Sequence, residues 1–232
     1  TGVDIASYGS DLPGTPRLGQ LARRLLALVP DLQRLRLSSL DPASIDDDVW
    51  RLLAEEPRLM PHLHLSLQAG SDLILKRMKR RHLRDDAAAA IERARALRPG
   101  IAIGADVIAG FPTETDATFQ ETLDFVTGAE LPYLHVFPYS ERPGTPAARM
   151  PAVPITARRE RAARLREAGR ATLHRFMLRQ VGRAISLLTE TENTGHSEHF
   201  APVRLAAPAR PGAVTAARVI GVVDDALLAE AT

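Results

Sequence analysis

The ten residues HLHLSLQAGS, 62–71, place Leu63, Leu65 and Leu67 on one face of an extended chain and His62, His64, Ser66 and Gln68 on the other. Strict alternation of this kind marks a strand with two unlike faces. Related runs recur along the chain: LQRLRLSS alternates up to Ser39, 101–108 is an apolar run broken by Asp106, and YLHVFPYS closes the series. Between them lie segments with helical spacing. These are 18–29; SIDDDVWRLLAEE, with Ser44 as its N-cap and acids in its first turn; 71–79, capped by Ser71 or Asp72; 85–97; and FPTETDATFQETLDFV, capped by Thr115 or Asp116. Strand and helix in turn predict an α/β fold, a parallel sheet with helices outside in the form of a partial (β/α) barrel. An open doubly wound sheet is the alternative.

Both architectures gather ligands at the carboxyl ends of the strands. The residues there are polar or glycine: Ser38, Ser39 and Asp41; Gln68, Gly70 and Ser71; Asp106 and Gly110; Tyr139 and Ser140. With the leucines turned to the outer helices, His64, Ser66 and Gln68 face the interior, where polar groups need a partner or a ligand. The two histidines are expected to hydrogen-bond neighbouring strands, whereas Gln68, at the strand end, can reach a bound molecule. Asp106 is an acid inside an apolar strand, suited to accept from ribose hydroxyls or to pair with a basic neighbour. Arg80 offers a guanidinium for a carboxylate, or simply offsets a helix dipole.

The pattern changes after Pro143. RPGTPAARMPAVP is a proline-rich connector, 156–179 is a long helix with Leu165, Leu173 and Phe176 as its apolar stripe, and short β-like runs follow Gly182. The chain therefore divides into a partial barrel over 1–150, a basic linker and helix over 151–180, and a small all-β module over 181–232. Composition narrows the picture. The 232 residues, 45% hydrophobic and 25% charged, carry a net charge of only +2, yet Arg158, Arg159, Arg161, Arg164, Arg166, Arg170, Arg175, Arg179 and Arg183 crowd one region against Glu160 and Glu167. Such crowding suits a nucleic-acid backbone or, alternatively, a solvated helix. No apolar run reaches the length of a membrane span, so no membrane role and a cytoplasmic location are expected. Cysteine is absent, which excludes disulfides, thiolate zinc sites and cysteine-held clusters from these residues. The opening TGVDIASYG reads as the end of a strand entering a loop, as in a fragment of a longer protein.

HLSLQAGSDLILKRMKRRH, GADVIAGFPTETDATFQETLDFV and LHVFPYSERPGTPAARM resemble, in order and spacing, the radical SAM tRNA methylthiotransferases. TGVDIASYG and RLRLSSLDP are more similar to the branch acting on N6-threonylcarbamoyladenosine than to the isopentenyladenosine branch. The resemblance covers about 1–170, and the remainder is loosely similar to the TRAM-type β module of that family. It implies S-adenosylmethionine as cofactor. Gln68 and Arg80 would contact its ribose and methionine carboxylate, Asp106 its ribose and Gly110 its adenine. Phe137 and Tyr139 would flank that adenine, Ser66 would join the set, and Gly2 and Asp4 would lie near the methionine amino group. It also implies two [4Fe–4S] clusters in the complete enzyme, the first on a CxxxCxxC loop, an electron donor, and a 5′-deoxyadenosyl radical that takes hydrogen from C2 of adenosine 37 before sulfur insertion and methylation. The tRNA anticodon stem-loop would be gripped by the arginine helix and the β module. Neither cysteine set is here, and no metal ligand is assigned within the chain. Two other readings compete: a non-catalytic tRNA-binding piece, and a cluster-free barrel enzyme using Asp106 or His64 as acid or base.

Overall fold

The computed structural model describes residues 5–232. Helix α1 (Leu18–Leu28) leads into β1 (Leu35–Leu40), α2 (Asp47–Glu55) into β2 (Leu59–Gln68), α3 (Asp72–Arg77) and α4 (Arg84–Leu97) into β3 (Ala102–Ala109), and α5 (Asp116–Gly128) into β4 (Tyr133–Pro138). The four strands form one sheet in the order β1-β2-β3-β4, and every neighbouring pair is parallel. This is a partial (β/α) barrel. The leucine face of β2, with Ile103, Ala105, Val107 and Ala109 of β3, packs into the main core beneath the helices, so the alternation along 62–71 divides the two faces as its spacing predicts.

Local chemistry explains most boundaries. Thr115 caps α5 by accepting from the Thr118 amide. Ser44 does not cap α2: it ends a 3-10 turn, Pro42–Ser44, begun by Asp41, and the cap is Asp46, whose carboxylate accepts from Val49 N and from Gly19 N of α1. A carboxylate that joins two helices is the better cap here than a hydroxyl that reaches only one. Ser71 occupies the N-cap position of α3, but its hydroxyl is buried without a partner.

Helix α6 (Ile155–Leu178) serves two bodies. Ala162 and Leu165 enter the sheet's core, while Phe176 and Met177 enter a second core. That second core belongs to a closed barrel of β5 (Ala184–Thr189), β6 (Thr194–Ser197), β7 (Pro202–Leu205), β8 (Val214–Val223) and β9 (Ala226–Ala231), in the order β5-β6-β7-β9-β8. The strand β6, TGHS, escapes a hydrophobicity pattern because it is four residues long and holds no large apolar side chain.

The small barrel lies against the inner face of the sheet. Arg34 donates to Ser186 Oγ at 2.7 Å and Arg36 to the carbonyls of Ser197 and Glu198 at 2.7 and 2.9 Å. Tyr133 Oη donates to the carbonyl of His199 at 3.1 Å, and Phe200 projects beside Arg36, His62 and Tyr133. Among the described residues no helix is long and apolar enough to cross a membrane.

Candidate cofactor site at the strand ends

A cavity of about 570 Å³ opens at the carboxyl ends of β3 and β4, lined by Gln68, Asp106, Ile108, Phe137, Tyr139 and Arg142, among others. It brings together five of the residues singled out in the sequence, Gln68, Asp106, Phe137, Tyr139 and Ser140. Gln68 holds a left-handed backbone, φ 69°, where the pairing of β2 with β3 slips between Leu65 and Gln68. Non-glycine residues rarely adopt that region, and it is often tolerated where a side chain must be aimed at a ligand.

Asp106 sits between two imidazoles. His64 Nε2–H donates to Oδ1 at 2.9 Å and His135 Nδ1–H donates to the same oxygen at 3.2 Å. Burial works against the charge, but these bonds and the imidazoles' charge hold the carboxyl below its ordinary range. His64 thus bonds a neighbouring strand as expected. His62 does not: it is 6% exposed, its Nδ1 has no partner, and burial, with Arg36 and His64 nearby, lowers its pKa to about 3.

Arg80 stands one step outside the cavity. Its guanidinium donates to Asp41 Oδ2 at 2.7 Å and to the carbonyl of Ser66 at 3.0 Å, and its Nε is buried with no partner. Asp41 is held further by the Ala43 amide, and His82 Nδ1 lies 3.5 Å from its other oxygen. Burial opposes ionisation of Asp41, yet these partners keep its carboxyl below the ordinary range. Gly110 does not line the cavity. Its φ is +74°, and a Cβ there would come within 2.5 Å of Arg158 Cγ, so the glycine admits helix α6. Its amide donates to Glu114 Oε1 at 2.9 Å. Glu114 was not foreseen in the sequence, although its place four residues after Gly110 at the turn into α5 was the available signal. Gly2 and Asp4 lie outside the described residues.

The arginine helix differs from expectation. Arg158 donates to the carbonyls of Val153 and Tyr139 and to Glu141, Arg161 pairs with Glu114 and Asp116, Arg164 reaches Gln120 and Arg166 the carbonyl of Val136, and Arg175 and Arg179 approach Glu130. Arg158 and Arg161 are buried by these contacts and fasten α6 to the strand-end loops and to α5, whereas Arg159, Arg164, Arg166, Arg170, Arg175 and Arg179 stay exposed, so the basic face is partly tied down and partly open.

The profile of the radical SAM superfamily matches residues 2–126. The chain belongs to that superfamily. It is 51% identical over 96% of its length to a threonylcarbamoyladenosine tRNA methylthiotransferase, MtaB, of Rickettsia prowazekii, and 46% identical over 61% of its length to a tRNA-2-methylthio-N(6)-dimethylallyladenosine synthase of Maricaulis maris. It spans 53% of the first relative and 31% of the second. Coproporphyrinogen III oxidase (HemN) from Escherichia coli, a radical SAM enzyme, shares the fold with a TM-score of 0.51 at 21% identity, over 71% of this chain and 38% of that one.

The superfamily implies S-adenosylmethionine and a [4Fe–4S] cluster. The strand-end cavity of this radical SAM chain fits the first: an amide, an aromatic face and a carboxylate whose Oδ2 makes no hydrogen bond among the described residues line it, and Arg80, just outside it, keeps a buried Nε without an acceptor. The residues present do not fit the cluster. It requires thiolates, and the chain has no cysteine.

Proposed function

We propose that this chain is the cofactor-binding and RNA-facing part of a tRNA methylthiotransferase acting on C2 of N6-threonylcarbamoyladenosine, next to the anticodon, in the cytoplasm. The observation that carries the reading is the 51% identity to the named threonylcarbamoyladenosine enzyme across 96% of this chain. In this reading Gln68 and Asp106 hold the ribose of S-adenosylmethionine, Phe137 lies against its adenine, Ser66 and Arg80 face its methionine end, and Asp4, outside the described residues, is assigned to the amino group by the resemblance alone. The bound cofactor supplies the 5′-deoxyadenosyl group and the methyl group.

The chain's own share is positioning. His64 and His135 fix the rotamer and charge of Asp106, so that Oδ2 is left to accept from a hydroxyl. Asp41 holds Arg80 at the end of β2, and the buried Nε supplies a directed donor for a carboxylate. Glu114 and Arg158 fix the backbone at Gly110, just past the end of β3. Ligands for the two [4Fe–4S] clusters of this reading, and contacts to an electron donor, fall outside these 232 residues. The arginines of α6 that make no ion pair or hydrogen bond, Arg159 and Arg170, and the small barrel are the contacts to the anticodon stem-loop in this reading.

The test is nucleoside mass spectrometry of tRNA from a host lacking its own methylthiotransferases, supplied with the whole protein that contains this chain. The 2-methylthio group is expected on N6-threonylcarbamoyladenosine, and Arg80→Ala should weaken S-adenosylmethionine binding while tRNA affinity holds. A methylthio group on isopentenyladenosine alone would overturn the branch, and no methylthio group on either base would overturn the activity.

A further inference from the structure

The inner face of the sheet carries a second constellation, which shares Asp106 with the cofactor reading and adds to it a role of its own. His64 of β2, Asp106 of β3 and His135 of β4 stand on three adjacent parallel strands, with Asp106 and His135 paired in register. Their donor atoms, His64 Nε2, an Asp106 carboxylate oxygen and His135 Nδ1, all lie within 4.8 Å of one another. Gly104 lies opposite His64 in the sheet; a Cβ there would come 2.4 Å from His64 Nδ1, so glycine leaves the room that the imidazole occupies.

We propose that His64, Asp106 and His135 form a binding site for a borderline divalent transition ion such as Zn2+ or Co2+. Two imidazoles and one carboxylate, with no thiolate anywhere in the chain, select this class over Mg2+ and Ca2+, which take oxygen ligands. The present spacing is close to what an ion needs. With metal–nitrogen distances of about 2.1 Å, tetrahedral ligand atoms stand about 3.4 Å apart, and the two nitrogens now lie 2.9 and 3.2 Å from Asp106 Oδ1. An ion would replace the two hydrogen bonds with small outward shifts of the rings.

A separate observation supports an occupant. The triad borders a cavity of about 420 Å³, lined also by Arg36, Ser38, Ser39, His62, Tyr133 and Phe200. Into it faces His62, buried, with an Nδ1 that finds no partner among the described residues. A buried polar atom without a partner calls for an explanation. Water on the ion's open position supplies one, because His62 can accept from or donate to it, as second partners commonly do around bound metals. The ion would clamp β2, β3 and β4 together. It leaves Asp106 one carboxylate oxygen, so this inference stands whether or not the strand-end cavity holds S-adenosylmethionine.

The experiment uses the 232-residue chain, stripped with chelator and titrated with Co2+, with absorption of the d–d bands read for stoichiometry and geometry, and with Zn2+ in competition against a chromogenic chelator. One ion per chain is expected, with affinity reduced about tenfold or more by His135→Gln and by His64→Ala. His174→Ala, at an exposed position of α6 away from the triad, should leave it unchanged. His135 is exposed, its side chain 62% accessible, so His135→Gln tests the ligand without endangering the fold, and circular dichroism checks the buried His64→Ala. Absence of stoichiometric binding would overturn the proposal. So would binding that survives both triad variants, or binding abolished by His174→Ala, since either places the ion elsewhere and leaves the triad as hydrogen bonds alone.

Discussion

Gln68 shows how a single residue can be held against its own preference. Its φ of 69° lies in the left-handed region, which for a side chain with a Cβ costs about 1–2 kcal/mol. The alternating sequence predicts the strand but not this local reversal, because the slip in register arises only when β2 meets β3. Two truncations separate backbone from side chain. Gln68→Ala removes the amide and keeps the strain, whereas Gln68→Gly removes both. In an ordinary strand the glycine variant would be the less stable. Here Gln68→Gly should be more stable than Gln68→Ala by about 1 kcal/mol in urea denaturation, with S-adenosylmethionine binding weakened equally in both. Equal stability of the two would mean that the left-handed backbone is unstrained.

Helix α6 shows at the scale of an element what sequence could and could not say. Its existence and apolar stripe were legible, since Leu165 and Phe176 are buried as the helical spacing implies. The fate of its arginines was not, because charge periodicity gives their number and face but not the acids that other elements bring to them. Arg161 is the clearest case: it is 8% exposed and meets Glu114, which lies 47 residues earlier. Burial raises the Glu114 pKa, against the Gly110 amide and Arg161, which lower it. Arg161→Met would strand that acid, at a cost of about 3–5 kcal/mol, whereas Arg170→Ala should change stability by less than about 0.5 kcal/mol. The sign with pH follows from linkage. An acid whose folded pKa is raised binds more protons when folded, so its unfavourable effect is absent below the unfolded value, near 4.5, and grows as pH rises through the folded value. Removing Arg161 lifts that value further. The deficit of Arg161→Met should therefore be larger at pH 8 than at pH 5 and shrink in the double variant with Glu114→Gln. A deficit independent of pH would show that packing, not the stranded charge, dominates.

For the whole molecule, the decisive arrangement is a small barrel that floors the inner face of a parallel sheet. A repeating strand-and-helix pattern and a run of short strands announce two bodies, but nothing in either announces how they meet. The contact is made by Arg34 and Arg36, which the alternation of LQRLRLSS put simply on the polar face of β1. Burial, with Arg34 alongside, lowers the Arg36 pKa to about 10, so it stays charged at neutral pH. Its guanidinium lies 5.0 Å from the centre of the Phe200 ring and holds two carbonyls of the small barrel. Losing it would leave the Glu198 carbonyl without its donor, at about 1–3 kcal/mol, whereas the Ser197 carbonyl would keep the Phe200 amide. Phe200, in turn, closes the lower cavity over His62 and His64. Three links therefore join the bodies: this polar contact, the packing of Ala102 and Tyr133 into the small barrel's core, and α6, which puts Ala162 and Leu165 in one core and Phe176 and Met177 in the other. The wild-type chain should unfold in one calorimetric transition, and Arg36→Ala with Phe200→Ala should split it in two, with faster hydrogen exchange along β1 and at His62. Should the double variant still melt in a single transition, α6 and the packing of Ala102 and Tyr133 suffice to couple the two bodies, and the Arg36–Phe200 contact serves only to close the cavity.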